Sequence, residues 1–235
     1  MRKHLSVLML YVRSTLYKFL LLVLVMSAVQ AVLFVLALRR ANNLFGLNAI
    51  MSETRPGIIF AACFLLLCAQ LCLTGCDFGS KMGYTLSRLR ISRQMVFLWQ
   101  SISNAGFIFL LWAAQVGISL TFCGVYATHH PQEQAAMLVF YSNDFLHSIL
   151  PLEETIILVR NVALLVALAV TTACFPARMR RGERPVAAFA VALICVVFFV
   201  LDKGSFTANA MIFVITLAIA AFAAHAVCKK ETGDE

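Results

Sequence analysis

Charged residues are scarce in this sequence. They make up 13% of its 235 residues, while 62% of the residues are hydrophobic. Soluble domains usually carry about 25% charged residues. A soluble core of this chain length could not cover so much apolar surface. We therefore expect a protein that is embedded in a membrane, and the composition argues against an ordinary soluble enzyme or binding domain.

The apolar runs also lack the strict alternation of polar and apolar residues that transmembrane β-strands show. Runs of about twenty apolar residues are long enough to cross the membrane as helices, which satisfy their own backbone hydrogen bonds. The first run is too long for a signal-peptide core, so we expect it to be retained. The six predicted spans are Leu16–Leu38, Gly57–Cys76, Gln94–Ala127, Glu154–Phe175, Val186–Asp202 and Asn209–Cys228.

No loop contains a Cys-x-x-Cys pair, which makes a zinc site improbable on sequence grounds. Cys68, Cys72 and Cys76 recur every four residues and so share one helix face. A metal or redox stripe is one interpretation of this spacing. No histidine or carboxylate shares it, however, and cysteine often packs as a small apolar residue. We predict no metal site and no catalytic or cofactor-binding residue in this chain.

Basic residues are unevenly distributed between the predicted loops. Fourteen of the nineteen Lys and Arg residues lie before or at the start of the first span, between the second and third, between the fourth and fifth, or after the sixth. Four lie in the other loops, and Arg160 lies inside the fourth span. Cytoplasmic loops of membrane proteins collect Lys and Arg. The distribution therefore predicts a multi-pass cell-membrane protein with both termini in the cytoplasm, and it explains the net charge of +8 without nucleic acid.

The whole chain, residues 1–235, reads as a single transmembrane domain. Residues 1–15 mix apolar and basic side chains, which is typical of a short helix in the membrane interface. The alternative is that the first span simply begins early. Residues 128–153 contain no Lys or Arg and include a stretch too short and too polar to cross the membrane. We expect this external loop to form short helices.

The segment between the second and third spans, residues 77–93, is basic and patterned. Its run GSKMGYTLSRLRISRQMVFLWQ begins at Gly79, and apolar residues alternate with Ser and Arg in it. A short helix over Tyr84–Leu89 would present apolar anchors flanked by cations. A helix this short needs a surface to pack on.

This run and the six-span plan resemble the permease subunits of ABC transporters of the second exporter type, in particular small six-span bacterial permeases. The resemblance implies an all-α membrane fold with an N-terminal interfacial helix and a short cytoplasmic coupling helix. It also implies a homodimer, or a heterodimer with a similar permease, that binds a separate ABC ATPase subunit. ATP and Mg²⁺ would then be bound by that partner, with no cofactor in this chain. The coupling residues it implies are Tyr84, Leu86, Arg88, Leu89, Arg90 and Arg93.

Several polar residues fall inside the predicted spans. Arg160 and Asn161 lie in the fourth span, where a buried arginine is costly and must face other helices or water. Asn104 and Gln115 lie in the third span. These four residues could line a pathway for a transported substrate. For Arg160 a structural ion pair with Glu153 or Asp144 is an equal alternative, and for Asn104 and Gln115 we favour hydrogen bonds between helices.

Two other functions remain open from the sequence. The run EETIILVR, residues 153–160, is similar to the EExxxR motif of CAAX-protease-like intramembrane enzymes. Its arginine comes two residues late, which turns it by about 200° around a helix. The histidines also lack the expected pairing. A membrane sensor or assembly subunit without transport is the other alternative, and nothing in the sequence identifies a substrate.

Overall fold

Every secondary-structure element in the described part of the chain is an α-helix in this computed structural model. The described residues are 2–40, 47–74, 76, 92–129, 143–151, 154–180, 182–184, 186–200 and 206–229. Within them lie α1 (Arg2–Arg40), α2 (Leu47–Thr54), α3 (Pro56–Thr74), α4 (Arg93–His129), α5 (Asp144–Ile149), α6 (Thr155–Arg180), α7 (Val186–Val200) and α8 (Phe206–Lys229).

Five of these helices are long and apolar enough to cross a membrane, namely α1, α3 together with α2, α4, α6 and α8. This confirms the prediction of an all-helical fold with several helices that can span a membrane, as in a multi-pass membrane protein. The fifth predicted span corresponds to α7, which has 15 residues. At 1.5 Å per residue its length is about 22 Å, which is shorter than a hydrocarbon layer of about 30 Å.

Two features near the N-terminus differ from the sequence expectation. The structure does not divide α1 at residue 15, because one helix of 39 residues runs from Arg2 to Arg40. No glycine or proline lies in that range to end a helix early. The predicted loop before the second span contains α2, and Arg55 follows α2 with a φ of 44°. This left-handed residue and Pro56 set the sharp junction between α2 and α3.

Contacts between side chains give the directions of α1, α3 and α4. Phe19 packs on Phe107 with ring centroids 5.2 Å apart, and Phe34 stacks on Phe122 at 4.5 Å. Both residue numbers rise together, so α1 and α4 are parallel. The Gln70 side chain donates a hydrogen bond to the carbonyl oxygen of Thr15, near the end of α3 and the beginning of α1. Hence α3 is antiparallel to both.

The same argument applies to the second half of the chain. Arg160 on α6 bonds to Asn209 on α8, and fourteen residues later Cys174 packs with Ala223, so α6 and α8 are parallel. Phe175 near the end of α6 contacts Phe189 near the beginning of α7, at 6.0 Å between centroids. Helix α7 is therefore antiparallel to α6.

Helix α6 lies at the centre of the bundle. In its most apolar stretch 67% of residues are buried, against 22–44% in the other four candidate spans. It packs against α8, α4, α7 and α3. We call the end of the bundle where α1 begins and α6 ends the basic end, and the cations there include Arg13, Lys18, Arg178, Arg180 and Arg184.

Candidate functional site

The most unusual site in the described structure is a buried polar cluster, which we call the Arg160 cluster. It consists of Arg160 and Asn161 on α6, Asn209 on α8 and Ser148 on α5. Each of these residues is 0% exposed. The cluster lies opposite the basic end, where α6 and α8 begin. The chain thus places a guanidinium in the interior of an apolar bundle.

Two amide oxygens accept hydrogen bonds from this guanidinium. Asn161 Oδ1 lies 3.2 Å from Nε and 3.0 Å from Nη2 of Arg160. Asn209 Oδ1 lies 2.6 Å from Nη1. The Phe198 ring adds a cation–π contact, with its centroid 5.2 Å from the Arg160 Cζ atom. The planar fork of an arginine is well suited to several acceptors at once.

A second layer of hydrogen bonds holds the acceptors in place. Asn161 Nδ2 donates to the Ser148 carbonyl oxygen at 2.6 Å, which fixes the direction of its side-chain oxygen. The Ser148 hydroxyl reaches the carbonyl oxygens of Phe145 and Phe199. The cluster therefore ties α5, α6, α7 and α8 together at one end of the bundle.

This arrangement stabilises a positive charge and does not expose it. A charged side chain inside a membrane is costly unless other groups solvate it. The amide oxygens and the aromatic ring supply that solvation here. Because every member is fully buried, no solute reaches the guanidinium in this conformation. The geometry therefore favours a structural role, in which the cluster holds the helices together, over direct contact with a substrate.

Of the two ionic partners expected from sequence for Arg160, the structure describes only Asp144. Asp144 is exposed and lies in a surface pocket with Asn48 and Arg55. Glu153 is outside the described residues. The ion pair Arg40–Glu53, with 3.7 Å between the two side chains, lies on the surface.

Asn104 and Gln115 also bond across helices. Asn104 Nδ2 on α4 donates to Thr172 Oγ1 on α6 at 3.1 Å. Gln115 forms a reciprocal amide pair with Gln30 on α1, with distances of 2.8 and 3.2 Å. Gln115 also reaches Ser119 at 3.5 Å. Buried polar residues thus occur at each of the α1–α4, α4–α6 and α6–α8 contacts.

Another polar group lies on α4 nearer the basic end. Tyr11 donates its hydroxyl to Gln100 Oε1 at 3.2 Å. Within the described part of the chain, Gln100 Nε2 and Ser103 Oγ are buried with no hydrogen-bond partner. Both belong to the buried face that also carries Asn104.

A fully apolar layer separates this polar region from the Arg160 cluster. Between Arg160 and Thr171, the buried residues of α6 after Asn161 are alanines and leucines only. Leu164, Leu165 and Leu168 are each 0% exposed. No continuous polar route therefore crosses α6 in the described structure of a single chain.

The other residues singled out from the sequence are the coupling residues and the cysteines. The coupling residues Tyr84, Leu86, Arg88, Leu89 and Arg90 lie outside the described residues, and Arg93 is the first residue of α4. Among described residues, no group of three or more His, Cys, Asp or Glu side chains is placed to hold a metal ion. Cys68 and Cys72 are buried as free thiols in the apolar core.

The sequence indicates the buried polar residues better than it indicates the residues to which they are hydrogen-bonded. Asn209 was placed only as the first residue of the sixth span, and Thr172 and Ser148 were not singled out. An asparagine in the first turn of an apolar helix was the available indication for Asn209. Which helix it faces depends on packing and is not encoded in the local pattern.

Comparisons with protein-family models, with curated proteins and with solved structures found no match to this chain.

Proposed function

We propose that this chain is the membrane-spanning permease subunit of an ABC exporter, working with a separate cytoplasmic ATPase. The observation that supports the proposal best is the alternation of helix directions. Helices α1, α4 and α7 run one way, and α3, α6 and α8 run the other way, as six successive crossings require. The resemblance in residues 77–93 supplies the link to an ATPase.

The position of that segment agrees with a coupling role. Helix α3 ends and α4 begins at the basic end of the bundle, where the charge distribution predicts the cytoplasm. The segment between them is therefore expected to face the partner ATPase. In this proposal Leu86 and Leu89 anchor in a groove of the ATPase, and Arg88 and Arg90 pair with its acidic side chains. ATP and Mg²⁺ are bound by the partner.

The apolar layer in α6 supports a dimer. Because buried leucines interrupt the polar residues inside one chain, a pathway for substrate fits better between two permeases than through one. Helices α1 and α8 carry large exposed apolar side chains that lipid or a second permease can cover, for example Leu24, Leu36, Val214 and Phe222. We propose a homodimer or a heterodimer with a similar subunit.

The proposal is tested by binding and by activity together. The ATPase encoded nearest this gene is purified and combined with the chain in lipid nanodiscs. We expect co-purification, and we expect ATP hydrolysis to respond to the permease. The variant Leu86→Asp/Leu89→Asp should lose both, because it removes the two apolar anchors. Thr85→Asp/Ser87→Asp is the matched control, since it introduces the same two negative charges at polar positions of the same segment.

Failure of the wild-type chain to bind any neighbouring ATPase would overturn the proposal. Equal loss in Thr85→Asp/Ser87→Asp would show that charge alone, and not anchoring, governs binding. In the first case the variants Glu153→Gln and Glu154→Gln become the test of the proteolytic alternative.

A further inference from the structure

A groove lies on the outer surface of the bundle between α1 and α3. It has a volume of about 350 Å³ and is lined by Tyr17, Lys18, Leu21, Leu22, Val25, Cys63, Leu66 and Gln70. Its walls are apolar for most of their length. Its polar residues, Tyr17, Lys18 and Gln70, are all at the end nearer the basic end of the bundle. We call it the α1–α3 groove.

The groove begins at the depth where lipid headgroups are expected. Residues 19–38 of α1 contain no charged side chain, and Lys18 and Arg39 bracket them. Such a stretch has a length of about 30 Å, which matches the hydrocarbon layer. Lys18 is therefore placed at a headgroup, and Val25 lies about 10 Å deeper, among acyl chains.

The groove is polar at its mouth, near the headgroups, and apolar deeper in the membrane. Lys18 and Tyr17 are exposed at the mouth, and Tyr17 is 74% exposed. The Gln70 amide is fixed beside them by its hydrogen bond to the Thr15 carbonyl oxygen, at 3.3 Å. Deeper in the groove, Leu66 and Val25 offer only apolar surface. A cation above an apolar channel is complementary to an anionic headgroup above an acyl chain.

We propose that the α1–α3 groove is a binding site for a single phospholipid with a net negative headgroup. Its phosphate contacts Lys18, with the Tyr17 hydroxyl as a second donor, and one acyl chain lies along Leu21, Val25 and Leu66. A second copy of the chain is the poorer occupant. A symmetric contact through this surface would place two copies of Lys18 at the same membrane depth and bring like charges together. The proposal does not depend on the ABC exporter assignment.

The test uses the full chain purified in detergent and exposed to an equimolar mixture of dioleoyl phosphatidylglycerol and dioleoyl phosphatidylcholine. Native mass spectrometry then gives the ratio of the two lipids in the single-lipid complex. We expect the wild type to retain phosphatidylglycerol preferentially. Lys18→Gln should reduce this preference about fivefold, which is the usual contribution of one basic side chain at a membrane surface.

Two further variants separate the groove from general charge effects. Arg13→Gln removes one charge five residues away at the same end of α1, but Arg13 does not line the groove. We expect its lipid ratio to stay within about twofold of the wild type. Leu66→Trp should reduce binding of both lipids, because the larger ring fills the channel. Leu66 is 61% exposed, so this substitution should leave the fold intact.

Three results would overturn the proposal. Lys18→Gln could leave the ratio unchanged, or Arg13→Gln could reduce it as much as Lys18→Gln does. Alternatively, Leu66→Trp could convert a dimer to a monomer while lipid binding persists, which would assign the groove to a second copy.

Discussion

Arg160 is a fully buried cation whose hydrogen bonds reach two helices. The effect of a substitution on the free energy of unfolding depends on whether one partner or both partners are changed. Removing an acceptor leaves a buried donor without a bond, whereas replacing both partners by apolar side chains removes the need for one. The Arg160 cluster therefore allows a test at the level of single residues.

We predict that Asn209→Leu lowers the free energy of unfolding by about 2 kcal/mol, because it removes an acceptor from a charged donor. Unfolding in a titration of sodium dodecyl sulphate against mild detergent measures this change. Met211→Leu, on the exposed face of the same helix, is the control and should have little effect. Arg160→Met combined with Asn209→Leu should cost less than the sum of the single changes. Strict additivity would contradict direct coupling of the two side chains.

The sequence identified Arg160, Asn161, Asn104 and Gln115 as intramembrane polar residues, because polar side chains stand out in apolar runs. All four are buried and hydrogen-bonded in the structure. Their partners were harder to predict. A buried polar group must find a partner, but the one it finds depends on which helices are adjacent.

At the scale of helices, the contact between α3 and α5 depends on the absence of a side chain. A Cβ atom at Gly57 would lie 2.9 Å from the Phe145 ring. Gly57 stands in the first turn of α3, and Phe145 is buried on the six-residue helix α5. Close approach of these two elements therefore requires glycine.

We predict that Gly57→Ala destabilises the protein by about 1–3 kcal/mol, as is usual for overpacking. Gly106→Ala is the matched control, because nothing lies within 4 Å of its added Cβ atom. That control should be neutral or slightly stabilising, since alanine favours helices. Thermal unfolding in detergent compares the two variants. Adding Phe145→Leu to Gly57→Ala should recover part of the loss, and no recovery would contradict the proposed clash.

The amide pair Gln30–Gln115 connects α1 to α4. We predict that Gln30→Leu costs about 1 kcal/mol of unfolding free energy, within the range measured for hydrogen bonds between membrane helices. Gln30→Leu with Gln115→Leu should be less harmful than Gln30→Leu alone, because no buried amide is then left without its partner. Val29→Leu, exposed on the adjacent face of α1, is the control for the added volume.

Most helix bounds were predicted to within a few residues, because twenty-residue apolar runs have few alternatives in a membrane. The helix bounds that were predicted wrongly belong to elements whose extent is not set by the length of an apolar run. Helix α2 was not expected in the loop before the second span, since eight residues leave only a weak pattern. The continuity of α1 through residue 15 depends on the absence of helix-breaking residues, and the mixed polarity of residues 1–15 obscured it.

At the scale of the whole molecule, a chain that crosses the membrane six times has both termini on one side. We predict that a membrane-impermeant maleimide applied to intact cells labels Ser52→Cys and does not label Arg184→Cys or His225→Cys. All three positions are exposed, and the seven described native cysteines are buried. Wild-type protein sets the background. Labelling of His225→Cys from outside would show that α7 does not cross.

The Arg160 cluster also has a consequence for synthesis of the protein. Asn209 follows Arg160 by 49 residues. At about 5–20 residues per second, Asn209 is added to the chain about 2–10 seconds after Arg160. During that interval the arginine lacks one of its final acceptors, so α6 is expected to linger beside the insertion machinery. A nascent chain that ends before Asn209 should therefore remain crosslinkable to the translocon, whereas one that ends after α8 should be released into the bilayer.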